Sequence, residues 1–158
     1  MTDPRKIVAE YRLKRHPEGG WFREVHRSAH PPVRIHGYPG PRATFTVIYF
    51  LLARGDFSAF HRLRGEETWI HLAGDPLELV VMSRRVRKVL LDSATRRGKP
   101  IAVVPAGALQ AARTTGAYTL SACFVAPGFE YADFSIPSRE ELLRDHPRRK
   151  ELILDFTR

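Results

Sequence analysis

From residue 44 to residue 126 the chain is a succession of short apolar, β-branched and aromatic runs, cut at close intervals by Gly, Pro and Asp. That punctuation predicts strands at 42–52, 57–63, 67–72, 77–83, 86–92, 101–104, 108–114 and 118–126. Eight short strands at such spacing predict an all-β sandwich or barrel, with the jelly roll as the natural eight-strand solution. The run TFTVIYFLL (44–52) is apolar on both faces of its pleat. One face can fill a barrel and the other needs a cover, which predicts a homodimer packed through this sheet.

The flanks read differently. Residues 3–14 have Ile7, Val8 and Tyr11 at helical spacing with Pro4 in the first turn, the pattern of a short amphipathic helix. HPEGGWFRE (16–24) and the Pro-rich stretch 31–41 read as turns. Near the other end Ser138 and Glu141 form a capping-box pattern, and Pro147 is placed to open a last helix carrying Leu152 and Ile153. The expectation is one domain over 1–158, with a barrel core at about 42–134 and a helical segment at about 138–157.

Composition narrows the function classes. Of 158 residues 43% are hydrophobic and 27% charged, which excludes a disordered or low-complexity chain. The one cysteine, Cys123, excludes an intrachain disulfide and a cysteine-cluster zinc site, and reads as a small core residue. The start MTDPRKIVAEYRLKR lacks the apolar core of a signal peptide, and no apolar stretch reaches membrane-helix length, so a cytoplasmic protein is expected. With 26 Lys+Arg against 17 Asp+Glu the net charge is +9, but the basic residues are scattered from Arg5 to Arg158. They lack the interleaved aromatics of a nucleic-acid surface, so no nucleic acid or membrane partner is expected. Such a charge would nevertheless draw anionic metabolites.

The residues that carry chemistry sit within and between the strands. His61 falls late in one strand and Glu67 begins the next, so a hairpin can bring imidazole and carboxylate together. By a period of two, His61 and Leu63 share a face, as do Glu67, Trp69 and His71. Polar groups inside an apolar barrel are costly unless partnered, so their clustering points to function. His16, His26, His30, His36 and His146 lie in turn-like segments and read as surface residues.

The pattern Gly55-x5-His61-x-Leu63-x3-Glu67-x6-Gly74 resembles the first cupin motif, and Pro105-x-Gly107-x2-Gln110 resembles the second. HPEGGWFRE, TVIYFLLARGDFSAFHRL, WIHLAGDPLEL, VVPAGALQAA and VAPGFEYADF together resemble the small type-5 cupin family. The resemblance implies a cupin double-stranded β-helix with an interior site. Metal-binding cupins use two histidines, a glutamate and a third histidine, whereas this chain has Leu63 and Gln110 at the second and fourth positions. In the family pattern a histidine directly follows the tryptophan; here Ile70 intervenes, which moves His71 to the other face relative to that position.

Three readings follow from the resemblance. The first is an isomerase- or epimerase-type enzyme in which His61 and Glu67 perform acid–base chemistry on a small polar or anionic metabolite such as a sugar derivative. Trp69, His71, Gln110, Phe22, Arg23 and Glu18 would then contact the substrate. The second is a metal-dependent cupin with Fe, Mn, Ni or Zn on His61, Glu67 and Gln110. The third is a small-molecule binding module without turnover.

Overall fold

The computed structural model describes residues 3–96 and 98–158. Strands β1 (Lys14–Arg15), β2 (Trp21–Arg27), β3 (Thr46–Ala53), β4 (Phe57–Leu63), β5 (Glu66–Gly74) and β6 (Leu77–Met82) are followed by β7 (Val86–Leu91), β8 (Ile101–Val104), β9 (Leu109–Thr114), β10 (Tyr118–Ala126) and β11 (Phe134–Ser135). Helix α1 (Pro4–Glu10) precedes them, and α2 (Arg139–Asp145) and α3 (Lys150–Asp155) close the chain. The strands form a six-stranded sheet in the order β1-β2-β3-β10-β5-β8 and a five-stranded sheet in the order β11-β4-β9-β6-β7. All pairings between these strands are antiparallel, and the result is a jelly-roll barrel with short terminal helices. None of the described helices is long and apolar enough to cross a membrane.

Alternation sends Phe50 and Leu52 of β3 inward, where they meet Trp69, Leu77, Leu79, Val81 and Cys123 between the sheets. The outer face of the five-stranded sheet presents Phe60, Val80, Met82 and Ala111, and the C-terminal helices cover it with Leu142, Ile153 and Phe156. Helix α2 starts with the capping box read from the sequence: Ser138 accepts the Glu141 N–H and Glu141 answers on the Ser138 N–H.

Several expectations change. Helix α1 stops at Glu10 because Arg12 adopts a positive φ of 53°, and Lys14 already belongs to β1. The strand expected from residue 42 begins at Thr46, since Arg42 turns its guanidinium onto the buried Asp133 at 2.6 and 3.0 Å. Strand β2 lies where only a turn was read; it pairs with β3 through a register shift between Glu24 and His26. Part of the outer face of β3 is covered within the chain, where Ile7 and Val8 of α1 and Tyr11 just after it pack with Leu51, Leu120 and Tyr49. Phe45 and Val47 further along that face are half-buried, and Leu72, Ile101 and Val103 of the same sheet are exposed.

Phe156 is fully buried and stacks edge-on against Phe57 and Phe60. We expect Phe156→Ala to lower unfolding stability by about 3–5 kcal/mol in denaturant titration. A loss under about 1 kcal/mol would show that the C-terminal helix is not part of the core.

Candidate active site

A cavity of about 420 Å³ opens between the sheets, with acidic and histidine side chains in an aromatic lining that includes Phe22, Phe50, Trp69, Phe129, Tyr131 and Phe134. Three separate segments bring the polar groups together. His61 comes from β4 at a register shift against β9, Glu67 from the start of β5, and Glu18 from the loop between β1 and β2.

That loop is shaped by backbone constraint. Gly19 and Gly20 have φ of 110° and 72°, and a Cβ on Gly19 would lie 2.1 Å from the Phe57 carbonyl. The loop is then pinned on both sides of Glu18. Ala59 N–H and the Arg158 guanidinium donate to the Glu18 carbonyl, each at 2.8 Å, and Gly20 N–H donates to Asp56 at 3.1 Å. The Glu18 side chain is thereby delivered to the barrel interior, where it is 5% exposed as a residue.

His61 is the centre of the cluster. Its Nδ1 lies 2.9 Å from the Ala59 carbonyl, which can only accept, so Nδ1 carries a proton. Nε2 is left as the nitrogen that exchanges protons, 3.4 Å from Glu18 Oε2 and 3.9 Å from Glu67 Oε2. Burial alone would push the imidazole pKa down, but the two carboxyls outweigh it and raise it to about 9. Burial pushes the Glu18 carboxyl up to about 7, against the opposing pull of the His61 charge. Ser58 Oγ donates to Glu18 Oε1 at 2.8 Å and fixes that carboxyl's orientation.

Gln110 sits behind Glu67 and does not line the cavity. Trp69 Nε1 can only donate, so the Gln110 carbonyl faces it at 2.8 Å and the Gln110 amide nitrogen donates to Glu67 Oε2 at 2.5 Å. Trp69 and Gln110, expected to touch substrate, thus form a chain that aims the Glu67 carboxylate, with the Trp69 ring also forming part of the wall. His71 shares the buried face of β5 but lies outside the cavity, its Nε2 donating to the Asp75 carbonyl at 3.1 Å. It stands four residues beyond Glu67, about 13 Å along the strand.

Phe22 and Arg23 line the cavity from β2. Arg23 is half-buried and, among the described residues, has no acidic partner; Lys14 lies over the Phe22 ring at 5.4 Å and is likewise unpaired. Arg62 is exposed, as alternation predicts. His26, His30 and His36 are exposed, but His16 is not: its side chain is only 6% exposed and it lines the cavity. The turn reading was sound for its backbone and missed that the turn folds inward; the adjacent Gly19-Gly20 pair is the signal that could have found it. Cys123 packs in the core and also reaches the cavity, where burial and the nearby carboxyls push its thiol pKa well up.

The His61 pKa, held above its unfolded value near 6.5, contributes stability that is present below pH 6.5 and lost as pH rises through about 9. We expect melting temperature to fall between pH 7 and 10, and His61→Gln to lose this contribution to the slope. Equal slopes in the two proteins would remove the proposed charge on His61.

The comparisons with known proteins agree with this architecture. No curated protein is significantly similar to the chain. A hypothetical protein from Leishmania major is 31% identical, with 99% of each chain covered and a TM-score of 0.91. A protein from Shewanella oneidensis is 30% identical over 100% of this chain and 99% of its own, with a TM-score of 0.89. A cupin 2 conserved barrel domain protein from Rhodopseudomonas palustris shares the fold at 16% identity, covering 92% of this chain and 98% of its own, with a TM-score of 0.54. The family model described as Cupin superfamily (DUF985) matches residues 5–137, and the chain belongs to that family.

Proposed function

We propose that the cavity is the active site of an isomerase- or epimerase-type enzyme that moves a proton at a carbon atom of a small polar or anionic metabolite, such as a sugar derivative. The observation that supports this most is the placement of His61: Nδ1 is committed to a backbone carbonyl while Nε2 lies between two buried carboxyls. A carboxylate of the cluster can take a proton from a substrate C–H, and the His61 imidazolium can return one to the opposite face or to a neighbouring carbon. Glu67, oriented by Gln110, and Glu18, oriented by Ser58, are the candidate bases. Arg23 and Lys14 on the cavity wall supply the charge that would hold an anionic end of the substrate.

A resident divalent metal does not fit this donor set. Leu63 stands where the metal-binding cupin motif has a histidine, and the Gln110 carbonyl is taken by Trp69 while its amide group faces Glu67. Among the described residues no three His, Cys, Asp or Glu side chains are arranged to hold a metal ion. Metal analysis of protein purified without chelators is expected to show far less than one equivalent of Fe, Mn, Ni or Zn per chain. About one equivalent would overturn the metal-free reading.

The function itself is tested by incubating the protein in deuterium oxide with a panel of sugars, sugar phosphates and 2-keto acids and following C–H wash-out by proton NMR. We expect wash-out from at least one compound, with a rate maximum between about pH 7 and pH 9, where Glu18 is ionised and His61 protonated. His61→Ala is expected to abolish it with the fold retained. Full activity in that variant, or no wash-out from any compound, would contradict the proposal, the latter result favouring a binding module.

A further inference from the structure

A register shift in β2 aims one arginine across the mouth of the cavity. Phe22 stands opposite Phe50 and Glu24 opposite Ile48, and all four line the cavity. Strict alternation would next turn His26 inward. Instead the shift between Glu24 and His26 absorbs Val25 as an extra residue. His26 then pairs with Val47 and stacks on Phe45, while Arg27 pairs with Thr46 and joins the cavity lining. Re-aiming a side chain beside a site is what such bulges do.

Exposure separates the floor of the cavity from its mouth. Glu18, His61, Glu67 and Trp69 are buried, whereas Glu24, Arg27 and Tyr131 are exposed and mark the opening. Arg27 spans it. On its own strand its Nε and Nη2 hold the two oxygens of Glu24 at 3.0 and 2.9 Å. On the far side Nη1 reaches Glu130 Oε1 at 2.8 Å, and Nη2 also donates to the Phe129 carbonyl at 3.1 Å. The segment that it reaches is anchored at both ends. Gly128 N–H donates to the Ala43 carbonyl at 2.8 Å, Phe129 N–H donates to Thr46 at 3.0 Å, and Asp133 is held by Arg42. Glu130 and Tyr131 lie between these anchors, and Arg27 ties them to β2. The side chains of Arg27, Glu24 and Glu130 are 38%, 37% and 46% exposed, so the link is one that thermal motion opens.

We propose that Arg27 is a strap across the cavity mouth and a specificity-determining residue, which admits small molecules and holds back bulkier ones by tying Glu130 and Tyr131 to β2. This rests on the cavity being the ligand site and on no particular chemistry inside it.

The test needs no substrate. Trp69 lines the cavity and is 1% exposed, and the chain has one other tryptophan, Trp21. In a Trp21→Phe background, Trp69 fluorescence is quenched with two neutral molecules, acrylamide and the bulkier succinimide. We expect Glu130→Gln to raise the acrylamide quenching constant about two- to fivefold, the range that a partly exposed ion pair holds back, and Arg27→Gln to raise it at least as much. The succinimide constant is expected to rise by a larger factor in both. Added sodium chloride is expected to raise both constants in the background protein and to change the variants little, because screening loosens the strap only where it is intact. Constants unchanged in the variants, or raised by equal factors for the two quenchers, would overturn the proposal. So would a rise accompanied by a red shift of Trp69 emission, which would make Arg27 a brace of the barrel. C–H exchange plays no part in this readout, so the strap and the acid–base reading fail separately.

Discussion

The site depends on one imidazole sharing one nitrogen between two buried carboxyls. Three ionisable groups inside a barrel would be prohibitively costly if all were charged and unpartnered. His61 resolves this by committing Nδ1–H to the Ala59 carbonyl and turning Nε2 toward Glu18 and Glu67. The carboxyls in turn are held from outside the cluster, Glu18 by Ser58 and Glu67 by Gln110. What remains mobile is the proton, which is the condition for acid–base chemistry near neutral pH.

The surrounding fold serves to hold that arrangement dry and rigid. Glu18 belongs to a loop, and loops seldom place a charge in a core. Here two positive-φ glycines, Asp56 and the terminal Arg158 press the loop against β4. At the mouth, the buried Arg42–Asp133 pair anchors the segment carrying Tyr131 and Phe134, and the Phe134 ring lies 5.6 Å from that of His61. Both devices bring sequence-distant segments over the same strand, β4.

How much of this the sequence carries is uneven, for physical reasons. The strands from β3 to β10 are legible because Gly and Pro mark their ends and apolar residues alternate between them. WFREVHR was opaque because its charged residues on a partly exposed strand blur the alternation that identifies β2. A period of two gives the face of a residue but not its depth along the barrel. His71 was therefore grouped with Glu67, though it lies four residues further along the strand and outside the cavity. Gln110 was legible as a motif position, but its role was not, since an amide can present either end and only the indole of Trp69 fixes which. Glu18 was legible as a site candidate beside its glycine pair, whereas His16, two residues earlier in the same turn, was read as surface because alternation says nothing about which way a turn folds.

The central claim is that His61 is charged at neutral pH because Glu18 and Glu67 share its Nε2. Its most direct test is a pH titration of the His61 ring by nitrogen NMR of histidine-labelled protein, alongside Glu18→Gln. The account predicts an imidazolium at pH 7 that loses its proton only toward pH 9, and earlier loss in the variant. A neutral His61 ring at pH 7, or a titration unmoved by Glu18→Gln, would contradict it.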